Sequence, residues 1–241
     1  MNNREYIDIL ISGANDLGIE LNMFHVEQFL KYNDLLLKWN EKMNLTAITE
    51  EKEIIIKHFL DSLTALKCKV IKGTERIIDV GAGAGFPSVP LKILFPSLKL
   101  TIVDSLKKRT LFLNELVSHL NLNDVEIIHG RAEDVGKDSD FREKYDISLS
   151  RAVAQLNVLI EYCIPFTKVD GYLIAYKGSN ADEEINASQN ALNVLMCQIE
   201  NVIDVILPYT DIHHKLVLIR KLGATDGKYP RKPKLIEKSP L

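Results

Sequence analysis

The first seventy residues carry apolar side chains at the spacing of amphipathic helices. In the first of these helices they recur every three or four positions, at Ile7, Leu10, Ile11, Ala14 and Leu17. This spacing predicts a helix over residues 5–18, and Gly18 is a natural end for it. Two further helices are predicted over residues 23–40 and 50–66. We therefore expect a helical extension over residues 1–70 that packs against the rest of the chain.

From residue 76 the pattern changes to short apolar runs that alternate with amphipathic stretches, which predicts βαβ units and a parallel sheet. Strands are predicted at residues 77–80, 100–104, 125–129, 145–150, 171–177, 199–207 and 214–221, and helices at 106–120, 155–165 and 181–198. The link LPYTDIH between the last two strands is too short for a crossover helix, so these strands should form a hairpin with one antiparallel strand. We expect an α/β domain over residues 71–223, followed by a tail over 224–241.

Composition and charge exclude several classes of protein. A hydrophobic content of 46% supports a sizeable core, and the start of the chain has no basic residues followed by an apolar run. We therefore expect a cytoplasmic protein without a membrane segment, and nothing in the sequence demands more than a monomer. The three cysteines lack CxxC spacing, so neither a disulfide framework nor a metal site is expected.

The charge is distributed unevenly along the chain. Eight Lys or Arg residues stand against two acidic residues from position 213 to 241, although the net charge of the whole chain is −3. The C-terminal end is therefore the basic part. This charge is compatible with a solvated terminus and also with contact to nucleic acid.

The segment IIDVGAGAGFPSVPL gives the strongest chemical signal. A short strand containing Asp79 runs into Gly81, Gly83 and Gly85, which let the backbone turn tightly and approach a ligand. The segment lacks the Gly-Lys-Ser/Thr of a phosphate-binding loop, and Phe86 stands where a dinucleotide-binding fingerprint has its third glycine. The pattern GxGxG after an acidic residue of the strand therefore predicts binding of S-adenosylmethionine.

Polar residues after the next two strands fit the same ligand. Asp104 ends the second strand, where a carboxylate can accept hydrogen bonds from the two ribose hydroxyls. Its alternative role is to cap the helix that follows. Ala132 and Glu133 follow the third strand and are candidates for contact with the adenine edge, with a solvated turn as the alternative.

The segment SLSRAVAQL after the fourth strand indicates what is methylated. It lacks the prolines and aromatic residue typical of enzymes that methylate exocyclic amines, and Cys163 lies on a predicted helix, away from the loop that pyrimidine C5 chemistry requires. A ring nitrogen such as N7 of guanine can attack without losing a proton, so it needs no general base. Arg151 is a fixed cation at this position, unless a salt bridge to Asp79 or Asp146 holds it. The candidates for a direct catalytic role are Arg151, His58 and Asn44.

Taken together, these motifs closely resemble those of the RsmG (GidB) family of bacterial 16S ribosomal RNA guanine-N7 methyltransferases. The matching segments are WNEKMNLT, HFLDSL, DVGAGAGFPSVPL, VDSLKKRTLFL, RAED, SRAVAQL, the Lys177-Gly178 pair, and LVLIRK followed by YPRKP. Seven mostly parallel strands with a final hairpin are also the architecture of class I methyltransferases, which have a Rossmann-like sheet with its last strand antiparallel. The resemblance implies transfer of a methyl group from S-adenosylmethionine to N7 of one guanine in the decoding region of the small subunit. It also implies the cofactor contacts Gly81, Phe86, Ala132, Glu133 and Arg151, of which Phe86 comes from the resemblance alone.

The basic tail is the expected contact with RNA. Its densest cluster of cations consists of Lys228, Arg231, Lys232 and Lys234. The chain departs from the family here, because PRKP continues as KLIEKSPL where a Gly-Thr-Pro stretch is usual. Three other functions remain open from the residues: a ribosome-assembly factor that binds RNA without catalysis, a dinucleotide-dependent oxidoreductase, and a ribose 2′-hydroxyl methyltransferase with Lys177 as its base.

Overall fold

A seven-stranded sheet organises the structure, a computed structural model that describes residues 3–241. Its strands are β1 (Arg76–Val80), β2 (Lys99–Asp104), β3 (Val125–His129), β4 (Tyr145–Arg151), β5 (Thr167–Lys177), β6 (Cys197–Ile206) and β7 (His213–Lys221). They lie in the order β3-β2-β1-β4-β5-β7-β6, and β7 is antiparallel to both of its neighbours. The predicted fold class and the final hairpin are therefore confirmed. The strand order reverses between β1 and β4, the position where open α/β sheets bind ligands.

Helices cover both faces of the sheet. The helices between the glycine loop and β6 are α5 (Ser88–Leu94), α6 (Lys107–His119), α7 (Ala132–Val135), α8 (Leu156–Cys163), α9 (Ala181–Ala187) and α10 (Gln189–Val194). One hydrophobic core joins α5, α6 and the N-terminal helices to the sheet, and a second core lies under α8 and α10. None of the helices described between residues 3 and 241 has the length and apolar character needed to cross a membrane.

The N-terminal extension shares its core with the sheet. It begins with α1 (Asn3–Asp16) and α2 (Met23–Met43), and Asn22 caps α2 by accepting a hydrogen bond from the backbone of His25. The side chains of Phe29 and Tyr32 on α2 are fully buried in the core that also contains residues of β1 and β2. Burial of these rings fixes the extension against the carboxyl end of β1.

The third helical segment is irregular where the sequence predicted one regular helix over residues 50–66. It consists of α3 (Glu51–Ile54), a π-helical turn (Ile55–Leu60), α4 (Asp61–Leu63) and a 3₁₀ turn (Thr64–Cys68). A π turn adds a residue to the helical repeat and is frequent at functional sites. Here it contains His58 and is followed directly by Asp61, and both side chains contact Arg151.

The predicted helix over residues 181–198 is wrong at its end. It breaks at Ser188 and ends at Val194, and Met196 then adopts a left-handed backbone conformation with φ 54°. This conformation ends the helical path, so Cys197 belongs to β6, where it pairs with Lys221 of β7.

The C-terminal tail folds back on the domain and ends in α11 (Pro233–Lys238). The guanidinium of Arg142 donates hydrogen bonds to four backbone carbonyl groups, those of Gly136, Thr225, Asp226 and Tyr229. Arg231 donates to the fully buried carboxylate of Glu161, with Nη2 to Oε2 at 2.7 Å. The tail is therefore anchored, and only part of it is the solvated terminus that its composition allows.

The pair of Glu161 and Arg231 gives a test of this anchoring. Arg231→Met keeps the apolar stem but leaves a buried carboxylate without its charged partner, which should lower the free energy of unfolding by about 3 kcal/mol. Urea titration followed by circular dichroism measures the change. Lys31→Met is the matched control, because Lys31 pairs with Glu27 on the surface and its removal should barely move the midpoint. Equal destabilisation of the two variants would contradict the anchoring role.

Candidate active site

The glycine loop forms a cradle at the carboxyl end of β1. Gly81, Gly83 and Gly85 all adopt positive φ angles, of 76°, 62° and 97°. A Cβ at Gly81 would lie 2.6 Å from Cγ2 of Val153, and one at Gly85 would lie 2.7 Å from Oη of Tyr32. Gly83 faces open space instead, with no atom nearer than 4.0 Å. The loop therefore needs glycine for two different reasons, close packing at its ends and access at its centre.

Asp104 connects this loop to β2. Its Oδ2 accepts a hydrogen bond from the backbone N–H of Gly83 at 3.1 Å, and its Oδ1 accepts from the backbone of Leu106 at 2.9 Å. The N-cap of α6 is Leu106, without a side-chain cap, so Asp104 does not cap the helix as its alternative role required; it holds the turn before α6 and also reaches the glycine loop. The glycine loop lines a cavity with open space at Gly83, and the Asp104 carboxylate lies directly behind the loop, so the residues present fit S-adenosylmethionine.

Phe86 lies at the centre of a stack of rings beside the loop. The ring of Tyr32 from α2 is nearly parallel to it at 5.2 Å between centroids, and the ring of His58 stacks on it at 4.5 Å. Cζ of Arg151 lies 5.2 Å from the Phe86 centroid, within the range of a cation–π contact. Tyr32 also donates a hydrogen bond to the carbonyl of Ala84. The helical extension thereby forms one wall of the site.

Arg151 extends from the end of β4 into this wall, and Asp61 is its partner. Its Nη1 lies 2.5 Å from Oδ2 of Asp61 and donates to the carbonyl of Lys57 at 3.2 Å. The carboxylates considered from the sequence, Asp79 and Asp146, are therefore the wrong partners. Sequence reasoning missed Asp61 because it is ninety positions away from Arg151, although it lies in the motif HFLDSL.

The two acids that do not pair with Arg151 have other roles. Asp146 pairs with Lys168 at 2.5 Å and accepts a hydrogen bond from the backbone of Arg76. Asp79 is fully buried beneath the loop and accepts from the backbone N–H of Ser88 at 3.2 Å. Burial raises the pKa of Asp79 to about 7. Its position beneath the loop suits a support for the start of α5.

His58 is held in its neutral form. Its Nε2 lies 2.9 Å from Oγ1 of Thr46, and the Arg151 guanidinium is close to Nδ1. Burial first, and the positive charge of Arg151 second, lower the pKa of His58 to about 3. A positively charged His58 is therefore excluded from the chemistry near neutral pH.

The remaining predicted residues are placed less centrally. Asn44 is an exposed cap of α2 with φ 46°, while Leu45 and Thr46 beside it line the cavity next to the glycine loop. Ala132 and Glu133 begin α7 directly after β3, as the sequence predicted, but neither lines that cavity. Their proposed contact with adenine stays a prediction.

Lys177 is tied into a structural network. Its Nζ donates to the carbonyl of Ala154 at 2.7 Å and lies 2.6 Å from Oε2 of Glu184. The same carboxylate oxygen accepts from the backbone of Leu156 at 2.7 Å. These bonds hold the loop that follows β4, so the ammonium group is not positioned as a free base.

The four cations of the tail do not form one free surface. Arg231 is engaged by Glu161, and Lys228 lies 3.4 Å from Asp226 and over the ring of Tyr229. Lys232 and Lys234 are exposed, and neither forms an ion pair within residues 3–241.

Fold and site together define an S-adenosylmethionine-dependent methyltransferase of class I. Solved structures with the same fold include a SAM-dependent methyltransferase from Aquifex aeolicus, with TM-score 0.54 and 18% identity over 69% of this chain and 92% of that one. Another is TYW2 from M. jannaschii in complex with AdoMet, with TM-score 0.51 and 13% identity over 67% of this chain and 76% of that one. At such identities these similarities establish the fold alone.

Closer relatives establish the family. The family model GidB, described as rRNA small subunit methyltransferase G, matches residues 25–209. Proteins named ribosomal RNA small subunit methyltransferase G are 58% identical in Thermoanaerobacter pseudethanolicus and 52% identical in Alkaliphilus metalliredigens, over 98% and 97% of this chain and 98% of each relative. The chain belongs to the rRNA small subunit methyltransferase G family.

The neutral state of His58 predicts a pH dependence of stability. We expect its NMR signal to show no charge change between pH 8 and about pH 4, because its pKa is about 3 in the folded protein and about 6.5 in an unfolded chain. Between these two values the unfolded chain binds more protons, so this histidine lowers the free energy of unfolding as pH falls through that window.

The measurement is a pH titration of the protein with ¹³C-labelled histidine, in which His58→Asn identifies the signal. The same titration in urea supplies the unfolded reference. A midpoint above pH 5.5 for His58 in the folded protein would contradict its placement between Arg151 and Phe86.

Proposed function

We propose that this protein transfers a methyl group from S-adenosylmethionine to N7 of one guanine in the decoding region of 16S ribosomal RNA. The observation that carries the proposal is the environment of Arg151: a fixed cation, a stack of rings and a neutral His58 lie beside the glycine loop, and Lys177, the candidate base, is bound by Glu184. N7 of guanine requires no base, because its in-plane lone pair attacks directly.

The cofactor supplies a methyl group activated by a sulfonium. The N7–methyl bond forms as the sulfur–methyl bond breaks, the positive charge passes from sulfur to the guanine, and no proton is transferred. The chain therefore contributes binding and orientation. Gly81, Gly83, Gly85 and Phe86 line or support the cofactor cradle, and Asp104 is the proposed acceptor for the ribose hydroxyls.

Arg151 is proposed as a positioning residue at the boundary between cofactor and acceptor. Three groups of the helical extension fix it: the Asp61 carboxylate, the Lys57 carbonyl and the His58 ring. A guanidinium held by several bonds loses little further freedom when substrate binds. Ala132 and Glu133 complete the proposed cofactor site at the adenine.

The engaged state of Lys177 disfavours the ribose 2′-hydroxyl alternative, since its ammonium already has a carboxylate and a carbonyl partner. A noncatalytic assembly factor with this fold remains the second candidate, and its expected outcome is cofactor and particle binding without turnover. The proposed setting is the cytoplasm, with the protein acting as a monomer on RNA or on the small subunit.

Transfer of labelled methyl from S-adenosylmethionine to small-subunit particles tests the proposal. The particles come from a strain that lacks this protein, and nucleoside analysis of their RNA should find the label in 7-methylguanosine. Gly83→Asp should abolish transfer, because a side chain fills the open centre of the loop and adds a negative charge beside Asp104.

Gly18→Asp is the matched control, since Gly18 also has positive φ, of 75°, and open space but lies far along the chain from the loop. This variant should keep wild-type transfer. Intact binding of cofactor and particles with no label in RNA would support the assembly factor instead.

The exposed lysines of the tail are proposed to bind RNA phosphates. Replacing Lys228, Lys232 and Lys234 together by Ala should weaken binding to small-subunit RNA. The slope of log affinity against log salt should fall by about 3, because each lysine that binds a phosphate contributes about one to it. Arg231 is left unchanged because its replacement would affect stability.

A triple variant of Lys67, Lys72 and Lys99 is the control, because these exposed lysines lie before β1 and at the start of β2, and none belongs to the tail or adjoins the residues that hold it. Equal salt slopes for the tail variant and the wild type would contradict the proposed binding of RNA.

A further inference from the structure

A second cavity adjoins the one at the glycine loop. Arg151 and Ala152, at the end of β4, line both cavities, so they form a shared wall. The second cavity has a volume of about 270 Å³ and lies over the ends of β5 and β7 and the hairpin between β6 and β7. A methyl donor in the first cavity and an acceptor in the second would meet at the end of β4. We call this second space the Asp61 cavity.

One carboxylate oxygen in the Asp61 cavity has no hydrogen-bond donor among residues 3–241. Oδ2 of Asp61 is bound by Arg151, whereas Nε2 of His214 lies 3.4 Å from Oδ1 without forming a hydrogen bond to it. That nitrogen is itself buried without a hydrogen-bond partner in the same part of the chain. Burial lowers the pKa of His214, so the ring is neutral near pH 7 and does not balance the carboxylate charge.

The other walls of the Asp61 cavity suit a flat ring. The ring of Tyr176 stacks beside His214 at 6.0 Å between centroids, and Leu207 and Ile212 add apolar surface from the hairpin. Lys57 and Lys177 also line the cavity, but each is already paired, with Glu53 and Glu184. A stacking surface and one free carboxylate oxygen together fit a nucleobase better than an apolar ligand.

Guanine presents the edge that such a carboxylate recognises. Its N1–H and 2-amino group are adjacent donors on one edge, so the single free oxygen, Oδ1 of Asp61, can accept from both, whereas adenine has a lone pair at N1 and no 2-amino group. N7 lies on the opposite side of the purine, so binding at N1 and the 2-amino group leaves the reacting nitrogen free.

We propose that the Asp61 cavity receives the target guanine and that Asp61 selects guanine by accepting hydrogen bonds from N1–H and the 2-amino group. This proposal rests on the proposed function, since it names the residue that recognises the base. A buried acceptor left unpaired by the wrong base disfavours that base strongly, which is the physical origin of the selection.

Removal of the 2-amino group from the target guanine tests the proposal. Small-subunit particles are reconstituted with inosine at the guanosine that the wild-type protein methylates, which deletes the 2-amino group and keeps N7, N1–H and O6. For the wild type, we expect kcat/KM to be roughly 10- to 100-fold lower on inosine than on guanosine. For Asp61→Asn, the ratio between the two substrates should fall below about threefold.

The ratio of kcat/KM on guanosine to kcat/KM on inosine separates recognition of the base from other effects of the variant. Disruption of the Arg151 pairing in Asp61→Asn slows transfer to both substrates alike, and equilibrium binding of S-adenosylmethionine reports any effect on the cofactor site. Asp170→Asn is the matched control, because Asp170 pairs with Arg220 at 2.8 Å on the surface. It should keep the wild-type ratio between guanosine and inosine.

Two results would overturn the assignment of Asp61: a wild-type ratio below about threefold, or an unchanged ratio in Asp61→Asn. The wild-type ratio needs no variant, so it tests the assignment of Asp61 even where Asp61→Asn does not fold. Absence of 7-methylguanosine from wild-type reactions on guanosine would instead refute the proposed function itself.

Discussion

The contact of Phe86 with Tyr32, His58 and Arg151 is the interaction on which the site depends. It brings together three parts of the chain that sequence alone keeps apart: the glycine loop, the helical extension and the end of β4. Each stacked or cation–π contact stabilises the arrangement by about 1 kcal/mol, so the three contacts together stabilise it more than any one of them does. The extension is therefore part of the candidate active site and not only a cap on the sheet.

The charged and titratable groups around the site are held in place by their partners. His58 is neutral, Lys177 is bound by Glu184, and Arg151 is fixed by Asp61. In the proposed function, groups held in this way orient the cofactor and the acceptor and exchange no protons. This is the requirement of a ring nitrogen that attacks through its lone pair.

Much of the fold could be predicted because its signals are local. The apolar runs from residue 76 onward gave all seven strands, and the short link LPYTDIH indicated the antiparallel hairpin that pairs β6 with β7. The loop GAGAG was equally readable, since its backbone requires glycine at 81, 83 and 85. Helix ends were less accurate, because Met196, which is left-handed and lies two residues after α10, is a residue type without a preference for that conformation.

The pairings of the site could not be predicted because they are not local. Asp61 meets Arg151 only when a π turn presents it to the end of β4, and no periodic pattern indicates such a turn. Arg231 shows the same limit: its place in a basic cluster suggested RNA, whereas the fold directs its guanidinium to Glu161. Local charge density identifies a surface, but burial decides which of its cations are available.

Equilibrium binding of S-adenosylmethionine to Phe86→Leu tests the central claim most directly. Calorimetric titration, with circular dichroism as a check of folding, compares it with the wild type and with Phe166→Leu, which removes a fully buried ring from the other core. If the Phe86 stack shapes the cofactor site, affinity should fall about tenfold for Phe86→Leu, the equivalent of roughly 1.4 kcal/mol, and stay near the wild-type value for Phe166→Leu. Wild-type affinity in a folded Phe86→Leu variant would contradict the account.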